Sequence, residues 1–121
     1  MVMNARHSKA SPRWGTPTEW IEMARLALGG RIERDPMSEP AFNATVRAER
    51  IWTEQDDGLS QSWACETMLI NPAGGLVVQA WRKLVAEHEL GGIGKAVWFG
   101  FSVEQLSILA DEQRHPFDYS L

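Results

Sequence analysis

The feature that most constrains this chain is an apolar run that ends in a polar turn. Met68, Leu69 and Ile70 form the run, and the turn Asn-Pro-Ala-Gly-Gly follows at residues 71–75. A continuous apolar run is typical of a strand that is buried on both faces, and proline ends the ladder because it has no N–H. The stretch therefore predicts a strand that turns into a helix, which is where open α/β sheets bind ligands. It also fits an ordinary strand-to-helix loop.

A helix start precedes this stretch. Thr16 suits an N-cap, Pro17 suits the first helical position and Glu19 completes a capping box. The glycine pair at residues 29–30 predicts the end of the helix. Capping alone explains Thr16 and Pro17, so the pattern by itself gives them no ligand role.

The remaining elements alternate along the chain. Strand patterns occur within residues 31–36, 51–53, 67–70, 95–101 and 115–121, and helix patterns occur at 38–50, at 76–90 and after residue 102. This alternation favours an α/β fold with a parallel sheet in three layers. Gly74 and Gly75 allow backbone conformations that other side chains forbid.

Length, charge and cysteine content bound the class of protein. The 121 residues suffice for one domain, predicted at 14–121 after a mobile basic arm at 1–13. The arm fits a disordered terminus or a phosphate grip. No apolar run approaches the roughly 20 residues of a membrane span, and the single Cys65 fits a reducing compartment, so we expect a cytoplasmic protein. The net charge of −4 argues against a general nucleic-acid coat protein but leaves local basic contacts open.

Polar side chains stand where three predicted strands end. They are Asp35, Asp57 and Asn71. Because the carboxyl ends of parallel strands share one edge, these residues predict a pocket for a polar organic ligand. Asp35 also suits a turn before Pro36 or the cap of the next helix. Neither Cys65 nor the histidines have metal-ligand spacing, and no phosphate loop or nucleophile elbow is present.

An ordered set of short motifs resembles the phage-type DNA adenine N6-methyltransferase family. The matching pieces are Trp14-Gly15-Thr16-Pro17, Asp35-Pro36 with Asn43-Ala44, Asp56-Asp57-Gly58-Leu59 with Trp63, Asn71-Pro72, Trp81, and Phe99-Gly100-Phe101-Ser102. Each piece is weak alone, and the resemblance covers about residues 14–119. It implies a Rossmann-like domain, encoded by a phage or prophage and acting in the host cytoplasm. The activity implied is methyl transfer from S-adenosylmethionine to the N6 amine of adenine in DNA.

The resemblance also implies roles for individual residues. The side-chain oxygen of Asn71 and the carbonyl of Pro72 would accept the two hydrogens of the adenine amine. Thr16 and Pro17 would border the cofactor. Asp35-Pro36 and Asp57, with Asn71, would complete the cofactor site. The target base would have to leave the duplex stack to reach this turn.

The turn departs from the family pattern in two places. Ala73 replaces a second proline, and Gly74 stands where an aromatic residue often stacks on the base. Substrate contacts would then come from Ala73, Gly74 and a substitute aromatic: Trp98, Phe99 or Trp63. A catalytically degenerate binding or regulatory protein is the alternative function. Relatives continue past the point where this chain ends, so the sheet is expected to be incomplete, with an open edge that favours a homodimer.

Overall fold

The computed structural model describes the backbone of residues 2–4 and the whole of residues 16–100. Five strands and three α-helices follow one another in the order β1 (Val2–Asn4), α1 (Thr18–Ala27), β2 (Arg34–Asp35), α2 (Pro40–Val46), β3 (Arg50–Ile51), β4 (Cys65–Ile70), α3 (Val77–Glu89) and β5 (Ile93–Gly100). Short 3₁₀ turns at Gly58–Ser60 and Gly74–Leu76 precede β4 and α3. The predicted order of helices and strands is confirmed within residues 16–100, whereas no strand was predicted at residues 2–4.

The five strands form one sheet in the order β1-β5-β4-β2-β3. Every neighbouring pair is parallel. The predicted α/β class with a parallel sheet is therefore confirmed, and the layout is compatible with a Rossmann-like fold. Strand β1 lies within the stretch for which the sequence predicts a mobile arm, and its backbone pairs with β5 from Val2 opposite Trp98 to Asn4 opposite Gly100.

Helices cover both faces of the sheet. One apolar cluster joins α1 and α2 to the sheet; its buried members are Ile21, Ala24, Leu28, Ile32, Val46, Ala48, Leu69, Val97 and Phe99. The other joins α3 to the opposite face; its buried members are Trp63, Met68, Ile70, Val77, Ala80, Trp81, Leu84, Ile93 and Trp98. The run Met-Leu-Ile of β4 supplies side chains to both clusters, which explains why it is apolar without alternation.

The predicted end of α2 is wrong. Helix α2 ends at Val46, four residues before the predicted end. The Asn43 side chain accepts a hydrogen bond from the Ala48 N–H at 2.9 Å and donates one to its carbonyl at 3.1 Å, which closes the chain into a turn. Arg47 takes a left-handed conformation there, with a φ of 54°. Gly74 and Gly75 lie in the 3₁₀ turn, and within residues 16–100 the glycines with positive φ are Gly29, Gly30 and Gly91.

Two predicted elements fall outside the described residues. They are the helix after residue 102 and the strand at 115–121, and the predicted incompleteness of the sheet depends on the same segment. Among residues 16–100, the longest helix has 13 residues, and none is long and apolar enough to cross a membrane.

Candidate functional site at the carboxyl ends of β2 and β4

The order of the strands marks one place in the sheet for a ligand. The chain leaves β2 through α2 to reach β3 on one side, and it leaves β4 through α3 to reach β5 on the other. Because parallel crossovers are right-handed, these opposite directions put α2 and α3 on opposite faces. A crevice opens between strands whose connections diverge in this way, and it lies at their carboxyl ends. In this protein those strands are β2 and β4, where Arg34 lies opposite Met68.

Thr16 and Asn71 meet at this crevice. The Asn71 side chain follows β4, and its Nδ2 donates a hydrogen bond to the Thr16 hydroxyl at 2.8 Å. The two residues are 55 positions apart in the chain. The turn before α1 is thereby held against the turn after β4.

The predicted capping role of Thr16 is wrong. Helix α1 begins at Thr18, its N-cap is Pro17, and no side chain caps it. The Pro17 carbonyl accepts hydrogen bonds from the N–H groups of Trp20 at 3.1 Å and Ile21 at 3.2 Å. The Thr16 hydroxyl therefore bonds the Asn71 amide in place of a helix N–H. This choice depends on a tertiary contact, and nothing near Thr16 in the sequence indicates it.

Asp35 ends the neighbouring strand. Its side chain is 3% exposed, and its Oδ1 accepts a hydrogen bond from the Met37 N–H at 3.3 Å. This bond is the turn-forming role that the sequence allows. A carboxylate at this depth at the end of β2 is also placed to accept hydrogen bonds from a ligand's hydroxyl or amino groups.

The loop after β3 packs closely on the loop after β2. A Cβ added to Gly58 would lie 2.1 Å from the Pro36 carbonyl oxygen, so only glycine fits at this position. Asp57, which precedes it, has a φ of 54°, as predicted for an Asp-Gly turn, and its side chain is exposed. The structure therefore brings the Asp57 turn against Pro36 and leaves its carboxylate at the surface.

Asp56 is the structural member of the acidic pair. Its carboxylate accepts hydrogen bonds from the Thr53 N–H at 2.8 Å and from the Thr53 hydroxyl at 2.9 Å. These bonds stabilise the charged form and lower the pKa of Asp56. The division of roles within the pair favours Asp57 as the member available to a ligand.

The turn after Asn71 rises from the core to the surface. Pro72 is buried, Ala73 is partly exposed, and Gly74 is exposed. The Ala73 carbonyl accepts a hydrogen bond from the Leu76 N–H at 2.9 Å, which starts the 3₁₀ turn. A Cβ added to Gly75 would meet no atom within 4 Å, so the surface over this turn is open.

The predicted base-stacking aromatics lie in the core. Trp98 is 1% exposed and packs edge-on against Trp81, with ring centroids 5.0 Å apart. Phe99 is fully buried on the opposite face and stacks on Trp20 at 6.3 Å. Trp63 is also buried, and its Nε1 donates to the Gly58 carbonyl at 2.8 Å. In this conformation none of the three rings presents a face on which a base could stack.

Arg34 is not among the site residues predicted from the sequence. This residue of β2 is 7% exposed, and its guanidinium lies over the Trp52 ring at 4.8 Å from the centroid. The signal that could have indicated a site role for Arg34 is its position next to Asp35 in a short strand. A long charged side chain is usually exposed, however, so this position suggested a surface residue.

Residues 16–100 hold no group of three or more His, Cys, Asp or Glu side chains arranged to bind a metal ion. Burial raises the pKa of the half-buried Cys65 thiol to about 11, so the thiol is neutral at physiological pH. These features give no support to a metal centre or a thiolate nucleophile in this part of the chain.

No family model, no curated protein and no solved structure matches this chain. Its function is therefore inferred from the residues that meet at the carboxyl ends of β2 and β4 and from the motif resemblance.

Proposed function

We propose that the protein is an S-adenosylmethionine-dependent methyltransferase of the phage-type DNA adenine N6 class. The observation that carries the proposal is the hydrogen bond from Asn71 to Thr16 at the point where the connections of β2 and β4 diverge. Two motifs of the resemblance, far apart in sequence, supply the two bonded residues.

The chemistry requires an amine that is held and activated. The N6 amine of adenine is a poor nucleophile because its lone pair is delocalised into the ring. Acceptors on both amine hydrogens orient the lone pair toward an electrophile and stabilise positive charge that develops on nitrogen. The side-chain oxygen of Asn71 and the carbonyl of Pro72 are the two acceptors, and the bond to Thr16 holds the Asn71 amide in one orientation.

S-adenosylmethionine supplies a methyl group on a sulfonium ion. Transfer of this methyl group to the amine would leave the sulfur as a neutral thioether, and the methylated amine would release one proton to solvent. No oxidant and no covalent enzyme intermediate is needed. The protein contributes the acceptors and the orientation of both reactants.

The cofactor site falls to residues around the same crevice. Asp35 and Asp57 carry carboxylates that suit the hydroxyl and amino groups of the nucleoside. Pro36 joins their two loops through its contact with Gly58. Thr16 and Pro17 border the site from the start of α1.

A catalytically degenerate relative is the second candidate function, and one observation favours it. The rings of Trp98 and Phe99 are buried, and Gly74 replaces the aromatic residue of the family pattern. Base–aromatic stacking contributes about 1–3 kcal/mol per base, so capture of an extruded adenine would be weak. Such a protein would bind the cofactor or DNA without transferring a methyl group.

The edge of the sheet formed by β3 bears on the proposed homodimer. Strand β3 has two residues, and its Arg50 side chain is exposed. A short edge with a charge resists pairing with another copy, so a dimer is proposed only through surfaces other than the β3 edge. Light scattering that gives the mass of one chain at assay concentrations would remove the dimer from the proposal.

Methyl transfer from labelled S-adenosylmethionine into DNA with unmethylated adenines tests the proposed function. We expect the wild type to label the DNA and Asn71→Ala to lose the label while its circular dichroism spectrum is kept. Gln79→Ala is the matched control, because it removes an amide from an exposed position of α3. Cofactor binding without transfer by the wild type would favour the degenerate relative, and a wild type that binds neither the cofactor nor DNA would contradict both candidates.

A further inference from the structure

Arg34 carries a buried positive charge without a hydrogen-bonded partner among the described residues. Its Nε and Nη1 are inaccessible to solvent and have no acceptor. The third nitrogen, Nη2, is not among these inaccessible atoms, so it is the nitrogen through which the guanidinium of this 7% exposed residue can be reached from the surface. Protein structures rarely leave buried donors unpaired, since each costs about 1–3 kcal/mol and more when charged.

Two acidic side chains of this region, those of Glu33 and Glu87, bind other partners. Glu33 accepts a hydrogen bond from the Glu66 N–H at 2.6 Å and lies 3.4 Å from Arg31. Glu87 accepts one from the Trp63 N–H at 2.7 Å and lies 3.5 Å from Lys83. No ion pair with Arg34 is formed within residues 16–100.

Asp35 follows directly but faces the other way. Successive side chains of a strand point to opposite faces of the sheet. Arg34 lies opposite Met68, which belongs to the α3-side cluster, whereas Asp35 lies opposite Ile51, which packs on the cluster of α1 and α2. The guanidinium therefore lies in an apolar layer on the α3 side of the crevice.

We propose that Arg34 binds an oxyanionic group, a carboxylate or a phosphate, of a small-molecule ligand at the carboxyl end of β2. Both bidentate faces of a guanidinium include Nη2, so an oxyanion bonded to this nitrogen lies beside Nε or Nη1. A small shift of the guanidinium toward the oxyanion would let one of these two buried nitrogens donate as well. The centroid of the Trp52 ring lies 4.8 Å from the guanidinium carbon, and the ring supports the side chain before a ligand binds. The small exposure of Arg34 favours a small ligand over the phosphates of a DNA duplex.

Two sources of the oxyanion are compatible with this position. One is the amino-acid carboxylate of the proposed cofactor, and this possibility rests on the proposed function. The other is free phosphate or a phosphate-bearing metabolite, which does not depend on the proposed function. The experiment therefore has two arms, one for each source.

The first arm measures thermal stability in a buffer without oxyanions and after addition of inorganic phosphate. Arg34→Met removes the charge but keeps an apolar chain beside Trp52, so we expect its melting temperature without phosphate to equal or exceed that of the wild type. Phosphate should raise the melting temperature of the wild type and leave Arg34→Met unchanged. Arg50→Met is the matched control, because this exposed arginine is the neighbour of Arg34 on β3.

The second arm uses calorimetry with S-adenosylhomocysteine and with methylthioadenosine, which lacks the amino-acid part. If the cofactor supplies the carboxylate, Arg34→Met should lose about tenfold or more in affinity for the first ligand and little for the second. If the wild type binds neither ligand, the proposed function fails. The phosphate arm then still tests whether Arg34 binds an oxyanion.

Three results would overturn the inference. One is an Arg34→Met protein that melts well below the wild type in every buffer, which would make Arg34 a structural residue. Another is an equal effect of phosphate on the wild type and Arg34→Met, which would be a general salt effect. The last is a wild type that binds cofactor and shows neither a phosphate effect nor a loss in Arg34→Met.

Discussion

Thr16 fits a local pattern for helix capping, but its side chain makes a tertiary contact instead. Its position before Pro17 and three residues before Glu19 fits a capping box, yet its hydroxyl bonds the Asn71 amide at 2.8 Å. A hydroxyl that orients a catalytic amide should affect the rate of the reaction more than the binding of the cofactor. Thr16 is therefore a positioning residue in the proposed mechanism.

Replacing Thr16 by valine tests this role, because valine keeps the shape and removes the hydroxyl. We expect Thr16→Val to lower the turnover of methyl transfer by about two- to tenfold, equivalent to a hydrogen bond of about 0.5–1.5 kcal/mol. Cofactor affinity should change little, and Thr16→Ser should recover most of the rate. The side-chain amide resonance of Asn71 should shift in the valine variant and not in the serine variant. Unchanged turnover together with an unchanged resonance would contradict the positioning role.

At the scale of elements, the site depends on how the loop after β3 packs on the loop after β2. The backbone of Gly58 lies against the Pro36 carbonyl so closely that a Cβ would approach its oxygen to 2.1 Å. The Trp63 indole also donates to the Gly58 carbonyl at 2.8 Å. Gly75, in the turn before α3, faces open space instead.

This contrast gives a paired prediction for stability. Gly58→Ala should destabilise the protein by about 1–3 kcal/mol, because the two loops must separate to admit a methyl group. Gly75→Ala should be neutral or stabilise by about 0.4–1 kcal/mol, since it restricts the unfolded chain without a clash. Urea unfolding of both variants beside the wild type measures the difference. Equal stabilities would show that the Gly58 loop is not packed on Pro36.

Elements with strong local patterns could be predicted from the sequence. The apolar run of β4 and the helical spacing of Val77, Ala80, Trp81 and Leu84 in α3 each reflect the cluster that they enter. The end of α2 could not be predicted in this way. It depends on hydrogen bonds between the Asn43 side chain and the Ala48 backbone and on the left-handed conformation of Arg47. Trp98 and Phe99 belong between these cases: the apolar run in β5 predicts that both are buried on opposite faces, whereas the family resemblance offers them as base-stacking residues.

At the scale of the whole molecule, parallel pairing was predictable and strand order was not. Alternating helices and strands favour a parallel sheet, but several strand orders satisfy that pattern. The observed order puts β4 beside β2 and so brings Asn71 and Asp35 to one crevice. The motif resemblance implies a common site for these two residues, which stays a prediction, and the Thr16–Asn71 bond joins two of its motifs.

The alkaline stability of the fold should depend on Cys65. Burial raises the pKa of its thiol from the ordinary 9.0 to about 11, so the folded state prefers the neutral form. The stability that this contributes is fully present below pH 9 and is lost as the pH rises toward 11. Cys65→Ala should therefore flatten the fall in melting temperature between these two pH values. A parallel fall in both proteins would mean that the thiol titrates as in an unfolded chain.

The most direct measurement of the central claim is a crystal structure with S-adenosylhomocysteine soaked in. We predict density for the ligand at the carboxyl ends of β2 and β4, with the nucleoside beside Asp35 and the sulfur near the turn that holds Asn71 against Thr16. Density at another surface, or a crevice in which Thr16 and Asn71 lie apart, would contradict the assignment of this edge of the sheet as a methyl-transfer site.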